Sequence, residues 1–253
     1  MQIRPGIELA ALSDLGCQRE NNEDRYSYWE PASEQQFAEK GRLVSVADGM
    51  GGYEGGQEAS RIAIETIEGA YANGENGDPQ SLLVEGFHTA HRKIQEYAET
   101  HPGLEGMGTT CTTVALRNSQ LYFAHIGDSR LYLLRNGSIQ QLTHDHSYVS
   151  RLVAHGVISS EEAESHPQRH ILTAALGAGL EVEPDCPVGP VEVRSGDTLV
   201  LCTDGLWGLV HEPEIKAIVD QRAPEAACNE LVRIARSRGG PDNITLQVIR
   251  FTP

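Results

Sequence analysis

Apolar residues recur along this chain at two different spacings. Over roughly 56–72, Ala59, Ala63, Ile67, Ala70 and Tyr71 fall on one stripe, and over roughly 80–100 so do Leu83, Phe87, Ala90, Ile94 and Tyr97. A recurrence every three to four residues puts an apolar face on one side of a helix, so two amphipathic helices are expected, divided by the polar tract at 73–80. Residues 109–117, 120–126, 130–135 and 138–142 are short and β-rich, with Asn118-Ser119 and Asn136-Gly137 as turns between them. Further strands are expected at 188–193 and 197–203, helices near 212–220 and 224–237, and a closing strand from Ile244 to Phe251. Residues 144–170 are polar, rich in histidine and acids, and helical in short pieces, which reads as an excursion from the core. Strands, helices, hairpin strands, helices and strands in that order favour antiparallel sheet with helices packed outside. With no internal repeat or long linker, residues 1–253 are expected to form one domain.

The apolar runs end in an unusual way. VADGMGG at 46–52 and LVLCTDG at 199–205 each carry a strand into an Asp-Gly pair, giving Asp48-Gly49 and Asp204-Gly205. Asp128 in HIGDSR (125–130) follows another apolar strand, Asp242 in GGPDNIT (239–245) precedes the last one, and Glu23 and Asp24 sit in RENNEDRY (19–26). A carboxylate beside apolar strand residues is costly unless its charge is compensated. Taken singly, each Asp-Gly is a turn signal. Taken together, acids at several strand ends call for a cation, and oxygen donors suit Mg2+ or Mn2+ better than zinc. The glycines would let the backbone pass close enough for a carbonyl to join the ligands.

Composition narrows the function classes. Twenty basic against thirty-six acidic residues leave a formal charge of −16, a field that repels nucleic acid and an anionic membrane surface. Hydrophobic residues at 39% are enough for a packed core. The five cysteines are widely spaced without a Cys-x-x-Cys, and Cys111 and Cys202 lie in apolar runs, which points to a reducing compartment. Neither a signal peptide nor a membrane-length apolar run is read, so a cytoplasmic protein is expected.

These acids belong to a longer series of motifs. R-x-x-N-E-D at 19–24 is followed by VADGMGG, GTT at 108–110, HIGDSR, LTHDH at 142–146, LTAALG at 172–177, CTDGLW at 202–207 and GGPDNIT. The chain thereby resembles the metal-dependent, protein phosphatase 2C-like phosphatases in their short bacterial form, over nearly its whole length. The resemblance implies an α+β fold, a four-layer α-β-β-α sandwich with two central antiparallel sheets. It implies hydrolysis of phosphoserine and phosphothreonine in proteins by a water activated between two Mg2+ or Mn2+ ions. Asp48 would bridge the ions, the Gly49 carbonyl would ligate one, and Asp204 and Asp242 would complete the other. Asp128 with Asp204 would hold a third, weaker ion, Glu23 and Asp24 would hold water around the metals, and Arg19 would grip the substrate phosphate. Residues 144–170 would form a flap beside the site. A monomer acting on targets of a serine/threonine kinase is implied.

Arginine suits phosphate because its planar fork reaches two oxygens, although a surface pair with Glu20 or Glu23 is the plainer reading of Arg19 taken alone. Where relatives carry histidine, this chain has Met50 and Tyr53, which leaves leaving-group protonation to a bound water or a flap residue. His144, His146, His155, His166 and His170 crowd the flap and are read as solvated or capping groups. His125 is read as structural, Trp207 as packing beneath the site and Asn243 as orienting Asp242. A catalytically silent binding module would be expected to have lost one of Asp48, Asp204 and Asp242. A hydrolase of nucleotides would call for a phosphate-cradling loop, and none is seen.

Overall fold

Alternation within single strands decides the layers. In β3 (Arg42–Met50), Leu43 and Ala47 pack toward helices, while Val44 and Val46 pack toward a second sheet. The computed structural model describes residues 3–51, 54–74, 77–179 and 182–253. In chain order its other strands are β1 (Ile7–Asp14), β2 (Asp24–Trp29), β4 (Gly108–Thr109), β5 (Cys111–Arg117), β6 (Gln120–Ile126), β7 (Arg130–Arg135), β8 (Ser138–Gln141), β9 (Val191–Glu192), β10 (Thr198–Cys202) and β11 (Ile244–Phe251). The helices are α1 (Glu34–Lys40), α2 (Gly55–Asn73), α3 (Pro79–Thr100), α4 (Tyr148–Ala154), α5 (Ser160–Glu164), α6 (Asp204–Trp207), α7 (Glu212–Gln221) and α8 (Pro224–Ser237).

One sheet runs β1-β11-β10-β7-β8 and the other β2-β3-β5-β6-β9, with β4 added to the end of β3. Neighbours in both pair antiparallel, as β10 does with β7 and with β11. Three apolar layers hold them. Leu43, Ala47, Cys111 and Ala115 pack on Ile67, Phe87 and Ile94 of α2 and α3. Val44, Val46, Val114 and Phe123 meet Leu131, Leu199, Leu201 and Ile249 between the sheets. Val200, Cys202, Leu246 and Val248 pack on Ile215, Leu231 and Val232 of α7 and α8. Both sheets are covered on both faces, which is why their central strands read as near-continuous apolar runs. The expected α-β-β-α sandwich is the fold observed.

The helix limits follow from local chemistry. Asp78 accepts from the Ser81 N–H at 3.0 Å and Pro79 opens α3, where its missing N–H costs nothing. Asn118, Ser119 and Asn136 take positive φ of 50°, 60° and 50° in the two hairpin turns that the sequence pattern marks. Two elements differ from expectation. The strand anticipated at 188–193 shrinks to Val191–Glu192, because Pro187 and Pro190 interrupt the segment and Val188 projects wholly into solvent. The helix α1 escapes the periodic pattern because it buries no residue; Ser33 caps it by accepting from the Gln36 N–H at 3.2 Å. Among the described residues no helix is long and apolar enough to cross a membrane. All five cysteines are free thiols.

Phe87 is completely buried beneath α2. Phe87→Ala is expected to destabilise the protein by about 3–5 kcal/mol, whereas Val188→Ser should stay within about 0.5 kcal/mol. Urea denaturation of the two variants checks both values.

Candidate metal centre

Register brings the first two acids together. Asp24 and Asp48 stand directly opposite each other on β2 and β3. Asp48 shares parity with Val44 and Val46, so its side chain enters the space between the sheets at their end. It does not end its strand as expected: β3 continues through Gly49 and Met50, which pair with Thr109 and Gly108. Asp204 follows β10 and opens the one-turn helix α6, Asp128 sits in the bend between β6 and β7, and Asp242 sits in the turn before β11. Five chain segments thus deliver carboxylates to one end of the sandwich.

Their charges act on one another. Burial pushes the Asp48 carboxyl well above the usual carboxylate range, and the Asp24, Asp204, Asp128 and Asp242 charges push it further. Asp128, 6% exposed, is raised by burial and then by Asp204 and Asp145, while Arg130 pulls it back. Asp204 is raised by burial and Asp242, and its carboxyl lies within hydrogen-bonding reach of Asp48. Burial raises Asp24 to about 7 although hydrogen bonds from Thr245 and Thr203 favour its charged form. The Thr203 hydroxyl donates to Asp24 Oδ2 at 2.8 Å and accepts from the Thr245 N–H at 3.1 Å.

Backbone contacts explain the glycines after the acids. A Cβ on Gly49 would collide with the Gly56 carbonyl and lie 2.8 Å from the Glu23 carbonyl oxygen; the Gly49 N–H itself donates to Glu23 O at 3.2 Å. A Cβ on Gly205 would strike the Asn243 carbonyl. Asn243 is the fastener of this end. Its amide donates to Leu15 O and Asn21 O, both at 3.0 Å, its Oδ1 accepts from the Glu23 N–H at 2.8 Å, and its own N–H donates to Asp242 Oδ1 at 2.8 Å. The Thr109 hydroxyl and Thr110 N–H both donate to the Asp48 carbonyl at 2.9 Å. Thr109 and Thr110 in GTT, Thr203 in CTDGLW and Thr245 in GGPDNIT lie within the sequence motifs, but the motifs do not reveal this role; the folded register brings them to the acids.

The remaining expected residues lie around the edge. Arg19, half exposed, pairs with Asp242 through Nη2 at 2.6 Å rather than with Glu20 or Glu23. Burial raises Glu23, Arg19 lowers it and Asp242 raises it, so it belongs to the Arg19–Asp242 side. Met50 packs its methyl toward Gly108, 2.9 Å from where a Cβ there would lie, and Tyr53 lies outside the described residues. The end of the 144–170 segment reaches the site, with His170 Nδ1 4.0 Å from Asp204 Oδ2. His146 is not a solvated group: it is mostly buried, accepts from the Gly127 N–H at 3.2 Å and meets Asp185 at 3.1 Å. His125, fully buried, bonds the Thr112 hydroxyl at 2.8 Å and the His144 carbonyl at 3.1 Å, and burial lowers it to about 4.

Hard divalent cations fit this set. The donors are carboxylate and carbonyl oxygens, and Oδ1 of Asp24 and Oδ1 of Asp204 are buried with no hydrogen-bond partner. Among the described residues no three acid, imidazole or thiol groups converge tightly enough to enclose an ion unaided. The acids form a shared negative field rather than a closed cage, the setting in which Mg2+ keeps several of its waters.

Comparison with known proteins gives concordant results. The model of the protein phosphatase 2C family matches residues 18–236. The chain is 38% identical over 242 residues to serine/threonine protein phosphatase PstP of Mycobacterium tuberculosis, covering 96% of this chain but 44% of PstP. It is 36% identical over 248 residues to protein phosphatase PhpP of Streptococcus pneumoniae, covering 96% of this chain and 97% of PhpP. The crystal structure of Mycobacterium tuberculosis PstP superposes with a TM-score of 0.87 at 37% identity, over 98% of this chain and 100% of that one. The PstP catalytic domain in complex with two manganese ions superposes with a TM-score of 0.84 at 35% identity, over 98% and 99%.

Asp24 carries a pH signature in metal-free protein. Its carboxyl titrates at about 7 when folded and at about 3.9 when unfolded. Between those values the folded state binds more protons, so stability falls as pH rises. The neutral carboxyl's contribution is complete below about pH 4 and gone above about 7. Chelator-treated protein should melt at a lower temperature at pH 8 than at pH 5, and Asp24→Asn should flatten that decline in a series of thermal melts.

Proposed function

The chain belongs to the protein phosphatase 2C family, and on that premise we propose that it is a metal-dependent serine/threonine protein phosphatase. One observation carries the reading: the carboxylates of Asp24, Asp128, Asp204 and Asp242, from four separate segments, all act on the buried Asp48. Such a field is relieved by cations, and two manganese ions accompany the catalytic domain of the related PstP. In this reading Asp48, the Gly49 carbonyl, Asp204 and Asp242 would hold two Mg2+ or Mn2+ ions, with Asp48 shared between them. Asp128 and Asp204 would hold a weaker third ion, and Asp24 and Glu23 would hold surrounding water. When bound, such ions supply a water deprotonated near neutral pH and polarise the phosphoryl oxygens.

The chain's own residues do the rest. Thr203 keeps Asp24 oriented, and Asn243 fixes Asp242 and the 15–23 loop against each other. Arg19 uses only Nη2 on Asp242, so its fork still offers donors to two phosphate oxygens. The apolar layer of the sheets below excludes water from beneath the acids, which strengthens every charge interaction at the site. Residues 1–253 are read as one catalytic domain with 144–170 as its flap. Phosphorylated proteins, including targets of a serine/threonine kinase, are the proposed substrates of a cytoplasmic monomer.

Hydrolysis of p-nitrophenyl phosphate should appear with Mn2+ and vanish with EDTA, and a phosphoserine protein should be cleaved in preference to nucleotides; no release from any phosphoprotein would reject the reading. Asp204→Ala is expected to lower turnover by about a hundredfold or more. Asp128→Ala should leave the tight metal sites intact by calorimetry and slow turnover; unchanged protein-substrate kinetics in Asp128→Ala would remove the third ion.

A further inference from the structure

Trp207 stands at a junction of four segments. It ends α6, the same single turn that begins with Asp204. Its indole Nε1–H donates to the backbone carbonyl of Asp128 at 2.9 Å. The Arg130 guanidinium lies over its ring at 3.6 Å from the centroid. Arg130 in turn grips Asp145 through Nε and Nη2, at 3.0 and 2.7 Å, and reaches the Tyr132 hydroxyl at 3.0 Å. Gln141 Nε2 also donates to Asp145 Oδ1, at 2.9 Å. The ion pair is largely buried, with Arg130 19% and Asp145 11% exposed. Asp145 belongs to the entry of the 144–170 segment, and its neighbour His146 holds Gly127 from the other side: the His146 N–H donates to Gly127 O at 2.7 Å, and the Gly127 N–H donates to His146 Nδ1 at 3.2 Å.

The loop that carries Asp128 is thus held on both sides by the flap entry, through His146 directly and through Asp145, Arg130 and Trp207. A packing role for Trp207 would need neither the indole N–H on a carbonyl nor a planar cation stacked on the ring. We propose that Trp207 and Arg130 are positioning residues for the weak ion: together they set the distance between Asp128 and Asp204 and transmit the placement of the flap entry to that pair. The proposal rests on the reading that Asp128 and Asp204 share a cation. It gives the 144–170 segment a defined mechanical link to the site, through a stacked, bidentate arginine that lysine cannot imitate.

The test separates positioning from packing. Trp207→Phe keeps an aromatic face over Arg130 and removes only the donor to Asp128; Arg130→Lys keeps the charge and removes the fork. Mn2+ is titrated by calorimetry into metal-free wild type and both variants, alongside thermal melts in chelator. The expected result is a weakening of the weak binding phase by about tenfold in each variant, the scale seen when a group supporting a metal ligand is lost. The tight phase should not move, and the Trp207→Phe melting temperature should stay within a few degrees of wild type. In a Trp29→Phe background, which leaves Trp207 as the sole tryptophan of the two in the chain, fluorescence should change over the weak phase and lose that change in Asp128→Ala. Superimposable titrations, equal weakening of both phases, or a wild type with no weak phase would each overturn the proposal. Phosphatase activity does not enter these readouts, so failure of the catalytic reading shows separately, as wild type that binds Mn2+ without releasing phosphate.

Discussion

Mutual repulsion among carboxylates at the edge of an apolar interior is the constraint on which this structure turns. Asp48 feels the charges of Asp24, Asp128, Asp204 and Asp242 at once, in a place where burial already disfavours its ionised form. A chain of this size could relieve that strain by supplying basic side chains. It supplies few: Arg19 reaches Asp242 and Arg130 acts on Asp128, but the largest influences on Asp48 are burial and other acids. Left without cations the group must hold protons, and an end of the sandwich arranged in this way is built to exchange those protons for divalent ions.

The sandwich makes such an arrangement possible because it is stiff. Each sheet is packed on both faces, so the ends of β2, β3, β10 and β11 are placed by three apolar layers rather than by the acids themselves. Gln247, fully buried on β11, joins the sheets by donating to Ser45 O at 2.8 Å and Ser27 O at 3.1 Å. Close approach then does the local work. Gly49 and Gly205 let backbone segments touch where any side chain would force them apart, and the Asn243 side-chain amide ties the 15–23 loop, at Leu15, Asn21 and Glu23, to the turn before β11.

Much of this was legible in the sequence, for physical reasons that differ from element to element. The helices α2 and α3 were plain because each buries a long one-sided stripe, and Asp48, Asp204, Asp128 and Asp242 were plain because a charge next to an apolar strand demands an explanation. The helix α1 was not, since it buries nothing and therefore has no period. The strand β9 is shorter than its Val-rich sequence suggests, because Pro187 and Pro190 interrupt the segment. The threonines that serve Asp24 and the Asp48 carbonyl, and the stack of Arg130 on Trp207, depend on strand register and on contacts between residues far apart in the chain. Arg19 shows the limit on the other side: its character suggested phosphate, and its partner Asp242 lies 223 positions away.

The most direct measurement is the melting temperature of wild type and Asp48→Asn at pH 8, each with chelator and with saturating Mn2+. Removing the central charge should raise the melting temperature of the metal-free protein and abolish most of the increase that Mn2+ gives wild type. An Asp48→Asn protein that melts lower than wild type in chelator and gains as much from Mn2+ would contradict the claim that divalent cations relieve a repulsion centred on Asp48.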